Sequence, residues 1–202
     1  MAVITISRQF GSGGKTLGKM LADKLGYTFA DDNIIQMVAK EANVSPKWVR
    51  SFEKEAGTKL SKIISKMVSQ RLLDRVLKDE RGYIDEQLYL DYLVLIIAQI
   101  ADEGNVIIMG RGSQYILNDH PDAHHILLID NVEHRKKFLM GKYDISATRA
   151  AQVVTNEDKR RFNLYSKLGK KDFDDPFLYD LVINMSRTSM QTAEKLVCDL
   201  IE

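Results

Sequence analysis

A chain of 202 residues that is 45% hydrophobic and 28% charged has the composition of one globular domain with enough apolar mass for a sizeable core. Its formal net charge of +1 supplies no global attraction to nucleic acid or to a membrane surface, so any basic functional surface has to be local. The single cysteine, Cys198, rules out an internal disulfide, and the most apolar stretch, Leu88 to Ala101, is broken by Asp91 and Gln99 and is too short to span a bilayer.

Arg8 and the glycines after it interrupt the N-terminus before any apolar segment of signal-peptide length. With the lone thiol, this predicts a cytoplasmic protein. Short apolar runs then alternate with longer helical patterns. Val3–Ile6 (VITI) reads as a buried strand, rich in β-branched residues and ended by turn residues. Lys15 to Leu25 carries Leu17, Met20, Leu21 and Leu25 at helical spacing, with Gly26 as its C-cap. Tyr27–Ala30 is a second strand. Asp32 is placed to cap a helix carrying Ile34, Ile35, Met37 and Val38, and Ser45-Pro46 starts another through Trp48.

Residues 57–79 place Leu60, Ile63, Ile64, Met67 and Val68 on one stripe that continues to Leu77, with Lys62, Lys66, Arg71 and Arg75 largely elsewhere. That face is basic, but aliphatic rather than aromatic residues interleave it, and Asp74 offsets it, so no nucleic-acid partner is expected. Leu88 to Ala101, apolar nearly all round, predicts a helix buried at the centre. Strands resume at Asn105–Met109 and His125–Ile129, with helix at 131–140, a long charged helix over about 146–168, a short strand at Asp180–Ile183 and a last helix over about 189–201. Five strands alternating with helices predict a parallel sheet covered on both faces, a three-layer α/β/α domain. The block 32–103 is too large for one crossover and predicts a helical lobe beside the sheet.

SRQFGSGG lies between the first strand and the first helix. Glycines let backbone N–H groups converge on anionic oxygens, and the positive end of the helix dipole favours negative charge there. Lys15-Thr16 adds a cation for β/γ-phosphates and a hydroxyl able to ligate Mg²⁺. The full phosphate-loop pattern G-x-x-x-x-G-K-[ST] asks for glycine at position 9, where this chain has Gln9. A phosphate cradle is the favoured reading, and a plain structural turn is its alternative.

ISRQFGSGG, GRGSQYIL and DKRRFNLYSKLGKKDFDDPFLYDLVINMSR together resemble the cytidylate kinase-like family of P-loop nucleoside monophosphate kinases. The resemblance is strongest at the two ends of the chain and weak across 45–100. It implies a P-loop NTPase fold with five parallel strands in the order 2-3-1-4-5, with a core at 1–31, 104–145 and 176–202, a helical acceptor-binding lobe at about 32–103 and a lid at about 146–175. By position it implies that Gly11, Ser12, Gly13, Gly14, Lys15 and Thr16 hold the ATP phosphates, with Thr16 on Mg²⁺. Arg111 would face the acceptor, Arg160 and Arg161 on the lid would join Lys15 in catalysis, and Arg187 would lie near the adenine. Asp32, Asp172 and Asp175 are further acceptor-binding candidates, with helix-cap or loop roles as the bland alternatives. Asp31, Asp174, Asp180 and Asn184 stand beside these positions.

The expected activity is transfer of the ATP γ-phosphoryl group to a nucleoside monophosphate, CMP or dCMP first, by a monomer or homodimer with small-molecule nucleotide partners and neither nucleic acid nor membrane. Two other readings stay open: a nucleotide-binding sensor with little transferase activity, and a P-loop kinase for a non-nucleotide small molecule. Three departures motivate them, the first being Gln9 in place of the loop glycine. Cytidylate kinases proper usually carry an aspartate after the third-strand arginine, where this chain has Gly112, and no acidic pair follows the strand NVIIM. His120, His124 and His125 read as structural, because adjacent strand residues point to opposite faces and do not converge on a metal. Cys198 reads as a buried helix residue.

Overall fold

The computed structural model describes residues 1–41 and 86–202. The helices expected from Ser45 and over 57–79 lie outside them. The five strands are β1 (Val3–Arg8), β2 (Thr28–Ala30), β3 (Val106–Met109), β4 (Ala123–Ile129) and β5 (Leu181–Asn184). All pair in parallel, in the order β2-β3-β1-β4-β5. β1 is therefore central, flanked by β3 in the register Val3↔Val106 and by β4 in the register Val3↔Ala123. Parallel strands buried on both faces need apolar residues at successive positions, and β1 and β3 have them.

Alternation divides those residues between two cores. Ile4, Ile6, Ile107, Met109, Ile126 and Leu128 point to one face, covered by α1 (Gly14–Leu25) and by a C-terminal helix (Met190–Ile201) that contributes Ala193, Val197 and Cys198. Val3, Ala30, Val106 and Ile108 point to the other, covered by α2 (Asp32–Glu41) and α3 (Glu86–Asp102). Tyr89, Leu93 and Ile97 of α3 are fully buried, which accounts for its nearly all-round apolarity. No helix among the described residues is long and apolar enough to cross a membrane.

A short helix α4 (Ser113–Ile116) follows β3; α5 (Val132–Tyr143) and α6 (Ala147–Lys167) follow β4, and the C-terminal helix is α7 (Met190–Ile201). Asn131, Ser146 and Ser189 cap α5, α6 and α7 by accepting backbone N–H bonds. α5 and α6 pack on each other through Leu139, Ala150 and Val154. Their second tie is electrostatic: Arg135, buried, forks onto the carboxylate of Asp158 at 2.8 and 2.9 Å and also donates to the Phe10 carbonyl at 3.2 Å. Removing the carboxylate in Asp158→Ala leaves a buried guanidinium short of partners. A loss of about 1–3 kcal/mol in urea unfolding is expected; an unchanged midpoint would show the fork to be dispensable.

His125 is buried and lies with Nδ1 2.7 Å from Thr5 Oγ1, while its backbone N–H donates to Asp180 Oδ2 at 2.7 Å. Burial pushes this imidazole below its ordinary value, against the opposing pull of Asp180. Among the described residues no three His, Cys, Asp or Glu side chains gather as metal ligands.

Candidate phosphoryl-transfer site

β1, β2, β3 and β4 all end at one edge of the sheet, and in open α/β sheets ligands bind beyond that carboxyl edge. The loop leaving β1 reaches α1 through two left-handed glycines, Gly11 at φ 91° and Gly13 at φ 83°. Gln9 has no positive φ, so this loop does not require glycine at the position where the sequence departs from the usual pattern. Gln9 has structural work of its own: its amide oxygen accepts from the Asp130 backbone N–H at 2.9 Å, and its amide nitrogen reaches Asp174 Oδ2 at 3.4 Å. α1 starts with no side-chain cap and no acidic residue in its first turn. Its N-terminal dipole therefore faces the loop uncompensated, beside a buried Ser12 hydroxyl that has no hydrogen-bond partner among the described residues. Orphan donors, a left-handed glycine turn and a lysine at the helix start fit a bound phosphate.

Asp31, just past β2, organises the charges opposite the loop. Its carboxylate lies 2.8 Å from Lys15 Nζ and 3.6 Å from Arg111 Nη1, and its backbone carbonyl accepts from Arg111 at 2.9 Å. Burial alone would raise this carboxyl, but the Lys15 hydrogen bond and the charges of Arg8 and Arg111 outweigh it and hold the group below its ordinary value. Lys15 is raised in turn, chiefly by the hydrogen bond to Asp31, though more than half of its side chain is exposed and water screens the pair. Because the Asp31 value is depressed by folding, its stabilisation is complete above the ordinary carboxylate range and is lost as pH falls through the depressed value. The melting temperature of wild type is thus expected to fall more steeply than that of Asp31→Asn as pH falls from above the ordinary carboxylate range through the depressed value. Parallel curves would remove Asp31 as the source.

Arg111 sits in the left-handed region at φ 56°, between Gly110 at φ 64° and Gly112 at φ 74°. Such a conformation is costly for a side chain with a Cβ and persists where its surroundings hold it. Here the holding contacts are the Asp31 carbonyl and carboxylate, with Arg111 only 8% exposed. Lys15, Thr16, Asp31, Asp32, Arg111 and Arg160 all line one cleft of about 540 Å³, the size range of a small-molecule site. Gly11, Gly13 and Gly14 line it too.

The paired arginines of α6 divide. Arg160 lines the cleft and pairs with Glu157 at 3.2 Å. Arg161 turns inward: it donates to Asp174 Oδ1 at 2.6 Å and to Ser7 Oγ at 3.1 Å, and lies 4.7 Å from the centre of the Phe173 ring. Burial would lower Arg161, but the Asp174 hydrogen bond together with the charges of Tyr165 and Asp174 outweighs it and raises the group. Phe173 stacks on Tyr165 at 4.5 Å, and the Tyr165 hydroxyl joins Ser7 and Gln114, so Arg161 belongs to a packed polar network behind the cleft.

Other candidates stand apart from the cleft lining. Asp175 caps the short turn Pro176–Leu178 by accepting from the Phe177 N–H at 3.0 Å, and the exposed Asp172 shares its loop. Arg187 is exposed just after β5 and is absent from the cleft lining. Asp32 is the first residue of α2 and lines the cleft; the bond to the Ile34 N–H is made instead by Asn33 Oδ1 at 3.1 Å.

A family model described as the cytidylate kinase-like family matches residues 3–187. The chain belongs to the cytidylate kinase-like family. Comparison with curated proteins returns no match. Among solved structures, an uncharacterised protein from Eubacterium ventriosum superposes with a TM-score of 0.70 at 18% identity, covering 99% of this chain and 97% of that one. A shikimate kinase from Bacteroides thetaiotaomicron gives 0.54 at 12% identity over 99% and 98%. A sugar kinase from a Janibacter species gives 0.51 at 18% over 99% and 94%. At these identities the likeness is one of fold: a P-loop kinase architecture.

Within this cytidylate kinase-like chain, Gly112 has a steric cause. A Cβ at that position would stand 2.4 Å from Leu168 Cδ1, and the backbone is left-handed there. The aspartate usual in cytidylate kinases proper does not fit the conformation that GRG adopts. Sequence reasoning gave Arg8 no place in the site. Arg8, the last residue of β1, lines the cleft between the loop and Arg111.

Proposed function

We propose that the protein transfers the γ-phosphoryl group of ATP to a nucleoside monophosphate, with CMP or dCMP as the first candidate acceptor. The observation that carries this reading is the convergence of Lys15, Arg111 and Arg160 on one cleft at the mouth of an uncapped helix. In the reaction an acceptor phosphate oxygen attacks Pγ, the bond from Pγ to the β,γ-bridging oxygen breaks, and ADP leaves with the electron pair. An ionised phosphate needs no strong general base, which suits a site whose central carboxylate, Asp31, is held deprotonated by three cations.

On this reading the loop N–H groups and Lys15 bind the donor phosphates, and Arg111 orients the acceptor. Arg160 closes from α6 as part of a lid over 146–175. Mg²⁺, when bound, neutralises charge on the transferring oxygens, and the Thr16 hydroxyl with Asp31 and Asp32 nearby is the set that would hold it. Binding donor requires Lys15 to exchange some of its contact with Asp31 for phosphate, a replacement of one anion by another at the same cation. With γ-³²P-labelled ATP and CMP, the label should appear in the nucleoside diphosphate. Label released only as inorganic phosphate, or retained in ATP with every nucleoside monophosphate, would oppose the reading. The second outcome favours a nucleotide-binding sensor.

A further inference from the structure

We propose that Arg8, at the carboxyl end of β1, is a substrate-contacting cation that works with Arg111 to bind the phosphoryl group already carried by the acceptor, and so selects anionic acceptors over neutral alcohols. The proposal rests on the phosphotransferase reading and adds a residue and a selection rule to it.

The strongest observation is that Gly14 makes room for this one side chain and Gly110 marks where its tip lies. Gly14 has no positive φ, so conformation does not explain its lack of a side chain. A Cβ there would stand 3.0 Å from Arg8 Cγ and 3.2 Å from its Cβ. At Gly110, where a φ of 64° already favours glycine, an added Cβ would stand 2.2 Å from Arg8 Nη1, which places the tip of the side chain against this turn. The side chain thus runs from the start of α1 across to the loop after β3, from the donor side of the cleft to the acceptor side.

There it enters a recess of about 90 Å³, equivalent to roughly three water molecules and suited to a tetrahedral oxyanion. Arg8, Arg111, Arg160 and Arg161 line that recess against a single carboxylate, Glu157. Arg111, Arg160 and Arg161 each have a carboxylate partner, in Asp31, Glu157 and Asp174, whereas Arg8 is lowered by burial and by the charges of Arg111 and Arg161 while Asp31 opposes. Arg8 is held by its backbone in the β1–β4 ladder, but among the described residues no ion pair or hydrogen bond engages its side chain, so its planar fork of donors is free to face the recess. An oxyanion would relieve the repulsion and use the fork, whereas a neutral hydroxyl would do neither.

The test is calorimetric titration of inorganic phosphate into the full-length protein saturated with Mg²⁺ and a β,γ-imido analogue of ATP, so that the glycine loop is already filled. Wild type is expected to bind. Arg8→Ala should weaken binding by about tenfold or more, with Arg8→Lys between them because it keeps charge without the fork. If Arg8→Ala melts early, Arg8→Lys and Arg8→Gln carry the comparison. Phosphate binding absent from wild type, or equal in all variants, overturns the proposal. Turnover separates it from the nucleotide reading. If wild type phosphorylates a nucleoside monophosphate, Arg8→Ala should raise the acceptor KM about tenfold or more and leave the ATP KM within about twofold; an unchanged acceptor KM overturns the Arg8 assignment alone. Arg8-dependent phosphate binding with no turnover of any nucleoside monophosphate would instead overturn the nucleotide reading and leave the oxyanion site standing.

Discussion

Lys15→Ala is expected to lower kcat for phosphoryl transfer by about 10²–10³-fold while leaving the protein folded. The Nζ group is the cation at the mouth of the α1 loop, and no other lysine approaches Asp31 there among the described residues. Its worth in catalysis comes from charge that develops on the transferring group, which a fixed ammonium stabilises without reorganising. Its worth in stability is small, because over half of its side chain is exposed and Asp31 keeps Arg111 after the change. A melting temperature close to that of wild type, with turnover lost, is the expected pair of results. Loss of both together would assign Lys15 to the fold, and retention of turnover would remove it from the transfer step.

Gly112→Asp is expected to destabilise the protein by about 2–4 kcal/mol rather than to restore a missing feature. Two terms add. The backbone at φ 74° disfavours any residue with a Cβ, and the new Cβ meets Leu168 Cδ1 at 2.4 Å in a buried contact. For a domain of this size that corresponds to a fall of roughly 5–15 °C in melting temperature, measurable by circular dichroism or calorimetry. Turnover should fall as well, because Arg111 is held in its left-handed position by the turn that Gly112 completes. A variant that melts with wild type and turns over CMP faster would show that the GRG turn accommodates aspartate and that the steric account is wrong.

The parts legible in the sequence are those that periodicity encodes. VITI, NVIIM and HILLI bury both faces of a parallel sheet, and their continuous apolarity says so directly. β1 nonetheless runs two residues further than its apolar core, through Ser7 and Arg8, because register pairing with β4 continues where hydrophobicity stops. That extension hid Arg8: a strand-end arginine reads as the first residue of a loop. A trace of its position is indirect, in Gly14, whose helical φ does not call for glycine and whose small size makes room for the Arg8 side chain. Gln9 shows the reverse difficulty. Judged against a pattern it is a defect, but its backbone needs no glycine and its amide bridges Asp130 to Asp174. Arg160 and Arg161 are neighbours in a charged run, and nothing local distinguishes the one at the cleft from the one tied to Ser7 and Asp174. That division is made by α6 packing, with Tyr165 and Phe173 drawing Arg161 inward.

The central claim is that this cleft passes phosphoryl groups from ATP to an acceptor that already bears a phosphate. The most direct measurement is steady-state ADP release by the purified protein with ATP and Mg²⁺, across a panel of nucleoside monophosphates, shikimate and simple sugars. Stimulation by nucleoside monophosphates, with CMP or dCMP foremost, and none by the uncharged sugars is the predicted result. Stimulation by a sugar but by no nucleoside monophosphate, or binding of ATP with no acceptor response anywhere in the panel, would contradict it.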